Sequence, residues 1–268
     1  MGTLAIRFVR ESDIGSTKWL GALALLALAG CGTMPTEVKE VNANPDAFLA
    51  KNYTLQALRP AYVESLKAVG APGPVDFKEV TFKFEYRYRP LGATDDSITL
   101  PQSAFRPLGN GIFQQIRTLE NNGFLVSRNF SLIFLGVLPL KKESALPQNK
   151  VTILDSAVKD IKPFKFEPAK ITVGSKFVVD YAMGFPMQEF NFRWYKMACT
   201  AVKTGSASEA HPKIRGQAIW FDCEGTSEAG APSKASSVYF NQYGLMLQTK
   251  FADSRYSGSE VITDFAER

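Results

Sequence analysis

The chain has 268 residues, 45% hydrophobic and 21% charged, which is enough apolar content for one large folded domain or two small ones and excludes an overall disordered chain. Lys and Arg total 31 against 26 Asp and Glu, a net charge of +5, with the cations scattered along the whole length. A nucleic-acid binder clusters its positive charge, so this balance argues against a nucleic-acid partner.

Residues 1–30 read as a secretory signal peptide. Arg7, Arg10 and Lys18 precede an uncharged run of 11 residues, Trp19 to Ala29. A spanning helix needs about 20 apolar residues, so the run is too short for a permanent anchor. The small residues Ala29 and Gly30 then stand directly before Cys31. The segment Leu28-Ala29-Gly30-Cys31 resembles the lipobox of bacterial lipoproteins. That resemblance implies that the Cys31 thiol receives a diacylglycerol, that the peptide before it is cut, and that the new amino group is open to acylation. Gly32 follows the cysteine, in place of the aspartate that resembles an inner-membrane retention mark. The implied location is therefore the outer membrane, with the protein facing the periplasm. A single acyl chain holds a protein only marginally, and two or three hold it firmly.

Residues 31–55 are polar, proline-containing and without clear periodicity, which predicts a flexible tether and leaves 56–268 as a β-rich domain. Within it, "LRPAYVESLKAVGAPGP" predicts a short helix: Pro60 suits the first turn, Tyr62, Leu66 and Val69 make one apolar stripe, and Gly70 with Pro72 supplies the stop. "VTFKFEYRYR" alternates strictly from Val80 to Arg89 and predicts a half-buried antiparallel strand. Its charged face, with Lys83, Arg87 and Arg89, is a candidate for an anionic partner, although a solvated outer face is the commoner meaning of such a row.

In "NGIFQQIRTLENNG", Ile112, Phe113, Ile116 and Leu119 match helical spacing, and a helix is expected there. The Asn121-Asn122-Gly123 that follows suits a helix end or a hairpin turn equally. The run from Phe130 to Leu140 carries one polar side chain, Ser131, and is read as a strand buried on both faces, ahead of a lipid- or partner-facing surface and a membrane-dipping loop. Residues 141–150 are polar, contain Pro147 and form the best candidate for a seam between two subdomains. Beyond them, strand-like pieces such as "FKFEPAKITV", "KFVVDYAM" and "SSVYFNQYGLMLQTKF" recur at roughly the 8–12 residue spacing of sandwiches and barrels. The expected fold is mainly β, an antiparallel β-sandwich or half-open β-barrel with one or two short packing helices.

With Cys31 assigned to lipid, Cys199 and Cys223 remain, in a compartment that oxidises thiols. They lie in consecutive strand-like segments, and pairing of those segments as a hairpin would set them opposite one another within disulfide range. A structural disulfide is expected.

Catalytic signatures are scarce. His211 is the one histidine, so zinc coordination lacks ligands. "GTSEAG" misses the nucleophile elbow because Ala229 replaces the last glycine. Phosphate-binding and dinucleotide loops are absent from the sequence, and Asp95-Asp96 and Glu260 with Asp264 lack calcium-loop spacing. No cofactor or metal is called for. The leading expectation is a non-enzymatic, lipid-anchored envelope protein whose β domain binds or scaffolds an envelope partner. Two alternatives stand beside it: a lipid or lipoprotein carrier with an apolar cavity, similar in outline to lipoprotein-localisation factors, and a glycan or peptide hydrolase.

Overall fold

The computed structural model describes residues 36–70, 75–226 and 230–268, with Leu154 and Asp155 as backbone only. The signal segment and Cys31 lie outside the described residues. Among the described residues three short helices come first: α1 (Val38–Ala43), α2 (Pro45–Asn52) and α3 (Pro60–Lys67). The Asn44 side chain caps α2 by accepting from the Ala47 N–H at 3.1 Å, and Pro45 occupies the first turn, where its missing N–H costs nothing. Val38, Val41, Phe48, Leu49 and Tyr53 are all buried. The expected tether is thereby corrected: from residue 36 onward this segment is part of the folded core, because its apolar residues have a sheet to pack on. The helix predicted from Pro60 is α3, with Leu66 and Val69 buried beneath it.

Thirteen strands follow: β1 (Val80–Pro90), β2 (Ser97–Thr99), β3 (Pro101–Gly109), β4 (Ile112–Asn121), β5 (Phe124–Phe134), β6 (Leu138–Ala145), β7 (Ile153–Ile161), β8 (Lys176–Gly184), β9 (Arg193–Ser206), β10 (Gln217–Thr226), β11 (Pro232–Phe240), β12 (Leu245–Ala252) and β13 (Tyr256–Glu267). Every pairing is antiparallel and, apart from the β1–β3 corner and the closing β1–β13 pair, runs between neighbours in sequence. The β2 and β3 segments lie in turn along one side of β1, as one strand interrupted at Leu100. Along the other side β13 returns, in register from Val80↔Glu267 to Pro90↔Tyr256. With β2 and β3 counted together, 12 strands close into an antiparallel barrel: the expected mainly β, antiparallel fold with short helices holds, with the barrel fully closed. Closure satisfies the edge strands that an open sheet would leave unpaired.

The stretch expected as a helix at 112–119 is strand β4, a correction with a clear cause. Ile112 and Ile116 enter one core while Phe113 enters the other, so the strand is buried on both faces and shows no alternation. Gln114 adds to the burial, its amide donating to the Tyr53 carbonyl at 2.8 Å. Both ends of β4 are hairpins built on Asn-Gly. Asn110 and Gly111, and likewise Asn122 and Gly123, take φ between 50° and 78°, the positive values a two-residue turn needs.

The same two-faced burial holds in β5, where Phe130, Leu132 and Phe134 join the core beneath the helices and Ile133 joins the other; the run read as one strand to Leu140 is instead a hairpin, turning at residues 135–137 into β6. In β10 to β12, Ile219, Tyr239 and Met246 face the first core and Ala218, Val238, Phe240, Leu245 and Leu247 the second. These walls meet where the Met246 N–H donates to the Leu135 carbonyl at 2.7 Å. Gly136 sits at that junction with φ 79°, and a side chain there would collide with the Met246 carbonyl.

The seam expected at 141–150 is also corrected. Residues Pro35–Arg268 form one compact unit, and Lys141 to Ala145 belong to β6. The polar residues there pin α2 to the sheet: Lys141 Nζ donates to the Asn52 carbonyl at 3.0 Å, and the Tyr53 hydroxyl donates to Glu143 Oε2 at 3.0 Å. Burial holds the Lys141 pKa below its ordinary value, with Glu143 opposing the shift. Finally, "FKFEPAKITV" is a connection with a 3-10 turn at Pro168–Lys170, and "SSVYFNQYGLMLQTKF" is two strands, β11 and β12.

Candidate functional site

An up-and-down meander places alternate connections at the same end of the barrel. One end, termed here the rim, gathers the connections after β1, β4, β6, β8, β10 and β12. Six of the large apolar side chains left exposed among the described residues lie on it: Leu91, Phe124, Val151, Phe185, Met187 and Phe190. Three of them, Phe185, Met187 and Phe190, fall within six residues of one connection, and exposed apolar side chains held together in this way mark an interaction site more often than they serve the fold.

The described chain also begins on the rim. The Val38 N–H donates to the Lys150 carbonyl at 3.0 Å, the Thr152 N–H to the Thr36 carbonyl at 2.8 Å, and Glu37 bridges to Val151. These bonds fix the start of the barrel beside the β6–β7 connection, and the next connection on this end is the β8–β9 loop.

That loop is shaped by two polar side chains. Lys159 Nζ, from β7, donates to the carbonyls of Pro186 at 2.7 Å and Gln188 at 2.8 Å. Gln188 accepts from the Phe185 N–H at 3.0 Å and donates to the carbonyls of Phe190 at 2.9 Å and Asn191 at 2.8 Å. Burial, and the Arg59 guanidinium nearby, hold the Lys159 pKa below its ordinary value, while Glu189 pulls it back up.

The opposite end carries a small cavity of about 150 Å³ beside the β7–β8 connection. Phe166, Ile171, Phe177 and Phe221 give it an apolar floor, and Lys165, Lys170 and Lys176 stand around it with Glu167, which pairs with Lys170. Drug-sized ligands occupy roughly 300–1,000 Å³, so this volume suits only a small anionic group.

The residues singled out in the sequence are placed as follows. Cys199 and Cys223 are paired in register across β9 and β10, both buried, and joined by a disulfide with Cα atoms 4.0 Å apart. Lys83, Arg87 and Arg89 share the exposed face of β1, and each meets a carboxylate: Asp264 at 3.4 Å, Glu85 at 2.6 Å and Asp96 at 2.7 Å. An anionic partner would have to displace those carboxylates. Hydrogen bonds from Lys213 and Lys83 hold the Asp264 pKa at about 2. His211 lies in the β9–β10 connection, its Nδ1 accepting from the Lys213 N–H at 3.3 Å. Glu260 pairs with Arg117, so the two carboxylates of "SEVITD" are tied to different cations. Among the described residues no group of three His, Cys, Asp or Glu is placed to hold a metal ion.

Sequence reasoning missed the β8–β9 loop. The signal was present in "GFPMQEFNF", a Gly- and Pro-marked segment whose apolar residues follow neither a strand nor a helix period. In comparisons with known proteins, no family model, curated protein or solved structure matches the chain.

Proposed function

We propose that this chain is a non-enzymatic envelope lipoprotein, acylated at Cys31, anchored in the outer membrane and facing the periplasm, whose barrel binds or scaffolds an envelope partner. The observation that carries the reading is the position of Thr36, close along the chain to Cys31. Four residues lie between Cys31 and Thr36, so five Cα steps separate them, a reach of at most about 18 Å. Thr36 is hydrogen-bonded to Thr152 on the apolar rim. An acyl anchor at Cys31 therefore holds that rim against the bilayer and leaves the far end, with its lysine-lined cavity, turned toward the periplasm.

The barrel lies on the membrane in this reading and does not cross it. The exposed face of β1 carries Lys83, Arg87 and Arg89, and a lipid-facing Lys or Arg costs about 2–4 kcal/mol at the bilayer midplane. No helix among the described residues is long and apolar enough to cross. The buried disulfide suits an oxidising compartment. Both cores are filled by fully buried aromatic rings, Phe82, Phe105, Phe130, Phe134, Phe166, Phe221 and Phe240 among them, which favours the surface over an internal lipid cavity as the place where a partner binds.

The experiment is Cys31→Ser in intact cells, with palmitate labelling and membrane fractionation. Loss of label and release from the membrane are expected, and unchanged labelling overturns the anchor. Crosslinking from Ser175, on the far end, is expected to recover one defined envelope partner; repeated recovery of none sinks the scaffolding role.

A further inference from the structure

The β8–β9 loop presents Phe185, Met187 and Phe190 at 66%, 82% and 73% exposure within six residues. Single exposed apolar residues need no explanation, but this group is held out deliberately. Buried Lys159 and the Gln188 amide turn four loop carbonyls inward and leave the three apolar side chains pointing away from the barrel. Taking a lysine out of water to order a loop tip is costly unless the tip has a use. Gly184 makes room for the arrangement, since a side chain there would press on Gln188 Oε1 at 2.7 Å.

Cations surround the base of the tip. The Lys162 ammonium lies 4.7 Å over the Trp194 ring and pairs with Asp180 at 3.2 Å, while Arg193 and Lys196 are exposed beside the ring. Glu189 is the one acid of the loop itself. An apolar tip above a collar of Trp and basic side chains is the composition that settles at a lipid interface, with rings and long cationic stems at headgroup level. The tip also projects from the rim on which Thr36 is held, close along the chain to Cys31.

We propose that this loop is a second membrane contact, seating Phe185, Met187 and Phe190 at the boundary between headgroups and acyl chains of an anionic phospholipid bilayer, with Trp194, Lys162, Arg193 and Lys196 among the headgroups. The proposal rests on the Cys31 reading for the orientation of the barrel, and on the loop's own side chains for the contact. Together the anchor and the tip fix the barrel at two points of one rim, so it can neither roll nor swing on a tether.

The test uses the full chain reconstituted with vesicles of phosphatidylglycerol and phosphatidylethanolamine whose acyl chains carry bromine. Bromine is expected to quench the part of the emission that Trp194→Phe removes. In Phe185→Ser/Met187→Ser/Phe190→Ser that quenching is expected to fall by at least about threefold, with the circular dichroism unchanged because the replaced side chains are exposed. Unquenched Trp194 in the parent chain, or equal quenching in the triple variant, overturns the proposal. So does loop-dependent capture of a protein partner while Trp194 stays unquenched. Failure of the anchor is read separately, as retained palmitate on Cys31→Ser, and leaves the Trp194 reading intact.

Discussion

The β8–β9 and β9–β10 loops leave opposite ends of the same strand, and both are shaped by their own side chains, yet they treat apolar residues in opposite ways. In the β9–β10 loop, Ser206 and Glu209 form a capping box, Ala207 and Ile214 are buried, and the exposed Lys213 and Arg215 meet Asp264 and Glu267 of β13 at 2.8 and 2.9 Å. Every feature of that loop serves the barrel. The β8–β9 loop inverts the scheme, with a lysine inside and three large apolar side chains outside. Burial of apolar surface is what a fold gains from such residues, so a loop that orders itself while withholding them gains its benefit elsewhere.

The two loops should therefore respond differently to substitution. The largest effect is expected at the β9–β10 loop, where Ile214→Ala empties a fully buried site and should cost about 2–5 kcal/mol in urea unfolding. A loss below about 0.5 kcal/mol would break the comparison by showing that this loop is not core. Next comes the staple between β9 and β10. Reducing Cys199–Cys223, separated by 24 residues, should lower stability by about 3 kcal/mol, read as a lower urea midpoint under reductant.

In the β8–β9 loop the sensitive position is the lysine. Lys159→Met leaves the Pro186 and Gln188 carbonyls without their donor and should cost about 1–3 kcal/mol, with faster hydrogen exchange confined to the loop. Because burial and Arg59 depress the Lys159 pKa in the folded state, the unfolded chain binds more protons between that depressed value and the ordinary lysine range. Stability should thus rise with pH across this window, and rise less in Lys159→Met. The exposed apolar residues complete the series: Phe185→Ser or Phe190→Ser should stay within about 0.5 kcal/mol of the parent, and a loss above about 2 kcal/mol would return the loop to the fold. At the paired surface, Lys213→Met should let the Asp264 carboxyl rise from about 2 toward its ordinary range, measured by NMR titration. The contribution of that carboxylate is present above its ordinary pKa and is lost as pH falls through the depressed one.

How legible each element was depended on how many of its faces were buried. In β1 one face holds Val80, Phe82 and Phe84 and the other meets water, so the alternation is plain in the residues. In β4 both faces are covered, alternation vanishes, and only the Asn-Gly pairs at its two ends betray a strand. Residues 36–55 were harder still. Their helices are six and eight residues long, with few apolar positions, and only the Asn44-Pro45 start signal hinted at order. Lys141 and Glu143 read as a solvated seam because nothing local announces that Tyr53 and the end of α2 satisfy them. The candidate site was invisible for a similar reason: the residues of the rim come from separate connections spread from Leu91 to Arg255.

Local chemistry alone determined the β-rich class, the alternation of β1, the start and stop of α3 and the facing cysteines, since each depends on spacings of a few residues or on two neighbouring strands. Closure of β13 on β1, the division of the interior into two cores and the gathering of apolar side chains on one rim were decided by tertiary structure. Those features depend on which strand ends come together, and a period of two residues carries no information about that. The lysine beneath the β8–β9 loop makes the same point at the scale of one side chain. Its charge is written in the chain, but its burial and its hold on the loop exist only once β7 and that loop lie side by side.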